Sequence, residues 1–154
     1  MSVQIVLGSK SDLKVAEKAV AVLKELGVKY KLTIASAHRT PELVDKLVAE
    51  ADAQVFIAIA GLSAALPGAI AARTMKPVIG VPVSGSVNLD AILSVVQMPP
   101  GIPVAGVGLD RGDNAALLAA EILALSDEKT KKALTQYRQR LKDNVVADSK
   151  EVEI

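Results

Sequence analysis

Cysteine and tryptophan are absent from this sequence of 154 residues, and histidine occurs once, at His38. Without cysteine there is no disulfide framework and no thiolate metal site, and one histidine leaves no convincing transition-metal cluster. Aromatic residues are nearly as scarce: Tyr30, Phe56 and Tyr137 complete the set, too few for a base-stacking platform. No charge sign dominates, with 18 Lys and Arg against 17 Asp and Glu. A chain so balanced has no global field for nucleic acid or a membrane surface. Long apolar runs are missing as well, because Asp, Glu, Lys, Pro or Gly interrupts each before it could span a bilayer. The opening "MSVQIVLGSKSD" enters a strand-like run with neither the basic region nor the cleavage site of a signal peptide, so a cytoplasmic location is expected.

What is present is aliphatic. Hydrophobic residues make up 51% of the chain, much of it alanine and valine, and the length suits one domain over residues 1–154. Strand-like runs recur: "VQIVL" (Val3 to Leu7), "KLTIA" (Lys31 to Ala35), "VFIAIA" (Val55 to Ala60), "VIGVPV" (Val78 to Val83) and "PVAGVG" (Pro103 to Gly108). Most are continuous rather than alternating, as strands buried on both faces should be. Between the first two, Leu13, Ala16, Val20, Leu23 and Leu26 follow helical spacing, with Gly27 as a stop. Another helix is expected from Pro41 through Glu50, with Thr40 at its N-cap. Strand alternating with helix implies an α/β protein whose parallel sheet carries helices on both faces, a three-layer sandwich of flavodoxin-like order. After "NAALLAAEILAL" the pattern changes to a charged helix at about 127–147, where Leu134, Tyr137, Leu141 and Val145 form a narrow apolar stripe. That stripe either covers the chain's own sheet or docks on a neighbouring subunit.

In such sheets ligands bind beyond the carboxyl ends of the strands. The first strand ends in "GSKSD", where Ser9, Ser11 and the opening of a helix can bind phosphate, and Asp12 suits ribose hydroxyls or an amine. The same three residues also serve simply to cap the helix. The second strand ends in "SAHRTP", bringing Ser36, His38 and Arg39 to the same rim. Arg39 can clamp a phosphate in bidentate fashion, and an imidazole here can move a proton near neutral pH or merely hydrogen-bond within the loop. The third ends in "AGLSAALPG", where Gly61 permits close approach of a ligand and Ser63 is placed to cap the next helix. Gly106, Gly108 and Gly112 do not match the dinucleotide spacing.

Taken in order, "GSKSD", "SAHRTP", "LPG", "PVIGVPV", "SVVQMPPGIPV" and "NAALLAAEIL" closely resemble the 5-(carboxyamino)imidazole ribonucleotide mutase / aminoimidazole ribonucleotide carboxylase family of de novo purine synthesis. The resemblance runs from Val3 to about Tyr137. It implies a homo-octamer with active sites at subunit contacts, which favours docking of the final helix on a neighbour. It implies a small ribonucleotide and CO2 as reactants, with no metal or organic cofactor. By position, Ser9 and Arg39 fall on the substrate phosphate, Asp12 on the ribose and His38 on the general acid/base, while Ser36 shapes the pocket. Gly61, Leu62, Ser63 and Ala64 fall on the loop that cradles the carboxylate being moved, and Gln97, Met98 and Pro99 on a segment closing the site of an adjacent subunit.

One loop departs from the pattern. The mutase branch usually reads "GGAAHLPG" where this chain reads "GLSAALPG", so Leu62 replaces a glycine and Ala65 a histidine. The branch that carboxylates aminoimidazole ribonucleotide directly also varies here and often has a serine near Ser63. The intact "SAHRTP" and "SVVQMPPGIPV" point to the mutase, with direct carboxylation as the alternative. A non-catalytic nucleotide-binding module would keep Ser9, Asp12 and Arg39 without needing His38. A phosphorylatable receiver is disfavoured because "IAIAG" carries no aspartate, and a flavodoxin because aromatics to flank its ring are lacking.

Overall fold

In the computed structural model, which describes residues 1–152, five parallel strands form one sheet in the order β2-β1-β3-β4-β5. The strands are β1 (Ser2–Leu7), β2 (Lys29–Ile34), β3 (Val55–Ala60), β4 (Val78–Pro82) and β5 (Ala105–Gly106). The helices are α1 (Leu13–Glu25), α2 (Pro41–Glu50), α3 (Leu66–Ala71), α4 (Asn88–Val96), α5 (Gly112–Ala124) and α6 (Glu128–Glu151), with a single 3-10 turn at Lys10–Asp12. This is the flavodoxin-like order, reversing direction between β1 and β3.

The continuous apolar runs are explained by two cores. Alternate residues of a strand face opposite sides, so Ile5, Leu7, Ile57 and Ile59 pack beneath α1 and α5. Val6, Phe56, Ala58 and Val78 pack on the other side with residues of α2, α3 and α4. Gln4 is the polar exception in β1, and its buried amide donates to the carbonyls of Ile5 and Lys31 and to the Thr33 hydroxyl. No buried side-chain nitrogen or oxygen among the described residues lacks a partner.

Helix α1 ends at Gly27, whose φ of +66° is the left-handed conformation a helix stop requires. Gly27 N–H bonds the Lys24 carbonyl and Val28 N–H the Leu23 carbonyl, the paired pattern of a Schellman stop. Thr40 does sit at the N-cap of α2, but its hydroxyl turns to the Ser36 backbone instead of the helix. The last strand is shorter than its apolar run: only Ala105 and Gly106 pair with β4, and Pro103 at the start of the run has no N–H to offer the ladder. The segment after β4 contains α4, which places Ala91 and Val95 in the core. No helix among the described residues is long and apolar enough to cross a membrane.

Candidate active site

The carboxyl ends of β1, β2, β3 and β4 surround a cleft of ≈ 500 Å³. At the end of β1 the chain leaves the sheet at Gly8 and turns through Ser9 into the 3-10 turn. Asp12 is only 5% exposed and organises that turn. One of its carboxylate oxygens accepts Ser9 N–H at 3.0 Å and the other accepts the Ser11 hydroxyl at 3.1 Å. A buried carboxylate held this way leaves both serine side chains on the wall of the cleft.

At the end of β2, Ser36 to Thr40 form a tight turn, closed by Thr40 N–H on the Ser36 carbonyl at 3.0 Å. The Ser36 hydroxyl oxygen accepts the Arg39 N–H at 3.2 Å and the Arg39 Nε–H at 3.3 Å. The far end of the guanidinium reaches the Gly8 carbonyl at 3.1 Å. Arg39 thus stitches the β2 loop to the β1 loop, fixing His38 beside it on the exposed rim of the cleft.

The β3 loop forms the opposite wall. Gly61, Leu62 and Ser63 line the cleft, and Leu62 is 74% exposed. Ser63 does not cap α3, whose N-cap is Ala65. It takes a left-handed φ of 49° and donates its N–H to Asp90 of α4 at 2.8 Å. Ala65, standing where a histidine was the familiar residue, also lines the cleft, and Ala64 points instead into the core.

The cleft therefore brings together Ser9, Ser11, Asp12, Ser36, His38, Arg39, Gly61, Leu62 and Ser63. It does not include Gln97, Met98 and Pro99 of the same chain; Met98 lies against α3, its Cε 3.2 Å from where a Cβ on Gly68 would stand. Sequence reasoning overlooked Ser84, the first polar side chain beyond β4, which the strand-end rule alone would have nominated. Its N–H donates to Asp110 at 2.8 Å. Burial pushes the Asp110 carboxyl up, but hydrogen bonds from the Ser84 side chain and N–H, together with the Lys18 charge, outweigh it and hold it below the usual carboxylate range.

Two other hollows, ≈ 450 Å³ beside β2 and α2 and ≈ 680 Å³ at the amino end of β4, contain neither His38 nor the serine-rich turn. Among the described residues no group of three His, Cys, Asp or Glu side chains is placed to hold a metal ion.

A doubly wound sheet with hydroxyls, an arginine and an imidazole at its switch point defines an α/β protein with a polar cleft where such sheets hold ligands. The particular family follows from comparison with known proteins. The AIR carboxylase family matches residues 2–144, and the chain belongs to it. It is 60% identical over 149 residues to N5-carboxyaminoimidazole ribonucleotide mutase of Methanocaldococcus jannaschii, covering 96% of this chain and 95% of that one. It is 44% identical over 156 residues to phosphoribosylaminoimidazole carboxylase of Candida albicans, covering 98% of this chain and 28% of that longer protein. The crystal structure of Treponema denticola PurE superposes with a TM-score of 0.90 at 33% identity, covering 99% of this chain and 98% of that one.

Proposed function

We propose that this chain converts 5-(carboxyamino)imidazole ribonucleotide to 4-carboxy-5-aminoimidazole ribonucleotide in de novo purine synthesis, with His38 as general acid/base. The observation that carries the reading is the place of His38: the chain's one imidazole stands on the rim that also presents Ser9, Ser11 and Arg39. The Methanocaldococcus jannaschii relative bears this mutase activity in its name.

The substrate phosphate is held by the Ser9 and Ser11 hydroxyls and Arg39, and the ribose faces Asp12. Ser36 keeps Arg39 in place. The nucleotide so anchored directs its N-carboxylate toward the Gly61–Ala64 loop. The N–CO2 bond breaks, CO2 departs, and His38 delivers a proton to the nitrogen. Ring carbon 4 then attacks the CO2, and the now neutral His38 takes the proton from that carbon, restoring the ring and its own starting state. Confinement does the rest: CO2 held against the ring reacts as though highly concentrated. Gln97, Met98 and Pro99 close the cleft of an adjacent subunit, within a homo-octamer on which the distal part of α6 docks. The setting is cytoplasmic.

A second reading, direct carboxylation of aminoimidazole ribonucleotide by CO2, is favoured by Leu62 and Ala65 in the β3 loop and by the name of the Candida albicans relative. One comparison decides between them. Purified protein receives either the N-carboxylated nucleotide or aminoimidazole ribonucleotide with low bicarbonate. Faster product formation from the first supports the mutase; efficient formation only from the second replaces it with the carboxylase.

A further inference from the structure

Only two non-glycine residues among those described have a positive φ, Ser63 at 49° and Asp110 at 58°, and both belong to carboxylate contacts with strand-end loops of the cleft. Left-handed backbone is disfavoured for a residue with a Cβ, and it persists where the surroundings over-determine it. At Ser63 the determining group is identifiable. The chain leaves β3 at Ala60, exposes Leu62, reverses at Ser63, buries Ala64 in the core and begins α3 at Leu66. The Ser63 N–H at the apex of this reversal is held by an Asp90 carboxylate oxygen at 2.8 Å, across 27 residues of sequence.

Asp90 is well placed to act as an anchor. It is the third residue of α4, and that helix is fixed on the sheet by Ala91 and Val95. Val95 packs so closely on β4 that a Cβ on Gly80 would stand 2.6 Å from its Cγ1. A carboxylate on such a helix transmits the position of the sheet to the loop.

We propose that Asp90 is a positioning residue: by accepting the Ser63 N–H, it holds the Gly61–Ala65 loop in the reversal that shapes the β3 wall of the cleft. This rests on the proposed function for its catalytic consequence, because the loop is where the migrating carboxylate lies. The competing role is a negative charge in the first turn of α4, favourable toward the helix dipole. Asparagine separates the two, since it keeps an acceptor oxygen and removes the charge.

The test uses the full chain with Asp90→Ala and Asp90→Asn. Hydrogen exchange of the peptide covering residues 60–66 should be roughly tenfold faster in Asp90→Ala and parent-like in Asp90→Asn. With the nucleotide substrate, Asp90→Ala should lower kcat on the order of 10- to 100-fold, as a displaced wall of the site would. KM should stay within about threefold, because phosphate and ribose are held by other loops. Asp90→Asn should recover most of kcat. Unchanged exchange in Asp90→Ala removes the anchor, and unchanged kcat in that variant removes the catalytic consequence. Equal losses in both variants assign Asp90 to the helix charge instead. If the parent chain turns over neither nucleotide, the proposed function fails by itself, and the exchange measurement still decides whether Asp90 holds the loop.

Discussion

His38 lies in a turn held at both ends: Ser36 binds the backbone and guanidinium of Arg39, and Arg39 reaches across to the carbonyl of Gly8. The imidazole is therefore carried by a fixed backbone while its ring remains on the open rim, the arrangement expected of a group that must meet a ligand. Replacing His38 with Asn should preserve nucleotide binding, since the phosphate contacts proposed above come from other residues. Turnover should fall by roughly 10² to 10⁴, the usual contribution of a general acid/base. Calorimetric titration alongside steady-state turnover checks both halves, and near-parent turnover would take His38 out of the mechanism. The residues of this rim were legible in the sequence because each lies within a few positions of a strand end, and a parallel sheet gathers its strand ends. Asp90 was not, and neither was the role of Ser84. Their contacts with Ser63 and Asp110 span 27 and 26 residues, respectively, and follow no helical or strand period.

Elements show the same division between local signals and tertiary constraint. Gly27 marked the end of α1 because its conformation is a local need, whereas nothing near Gly112 in sequence reveals that α5 begins against the backbone of α1. A Cβ at Gly112 would stand 2.1 Å from the Val15 carbonyl oxygen, so one helix must shift to admit alanine. Gly112→Ala should cost about 1–3 kcal/mol or more by overpacking, read as a lower urea midpoint. Gly85→Ala, with nothing within 4 Å of the added carbon, is the control expected to leave the midpoint near that of the parent. The brevity of β5 was not legible either: its apolar run opens on Pro103, which has no N–H to donate to a ladder. At the start of α6, Asp127 gives a pH signature. The Thr130 side chain donates to its carboxylate and, with the Thr130 and Lys129 N–H groups, outweighs desolvation to lower its pKa below the usual carboxylate value. A lowered folded pKa stabilises above the unfolded value and is lost as pH falls through the folded one. The Tm difference between parent and Asp127→Ala should therefore be full near neutral pH and shrink below the ordinary carboxylate range. A gap that persists into that acid range would contradict the cap.

At the scale of the whole molecule, α6 divides into two parts with different surroundings. In the first, Thr130 and Leu134 are buried and Tyr137 packs against the α1–α5 core, while Arg138 pairs with Glu121 of α5 and Arg140 with Glu25 of α1. Beyond this, Leu141, Val145 and Val146 are 45%, 67% and 56% exposed. The first part of the apolar stripe thus covers the chain's own helices α1 and α5 rather than its sheet, and the distal part is exposed. Its near half was legible because the stripe keeps helical spacing; the point where burial ends was not, because the spacing continues unchanged through it. Exposed aliphatic side chains at three positions in the distal part of a charged helix are explained if a second copy covers them, the assembly proposed above. Replacing Val145 and Val146 together with Asp should then shift the protein to smaller species, measured by sedimentation velocity. Far-ultraviolet circular dichroism should show the helix retained, since the near half keeps its own core and ion pairs. Turnover should fall together with assembly, because Gln97, Met98 and Pro99 do not line the His38 cleft of their own chain and are proposed to close that of a neighbour. A parent chain that sediments as a monomer while fully active would defeat both the docking of α6 and the shared site.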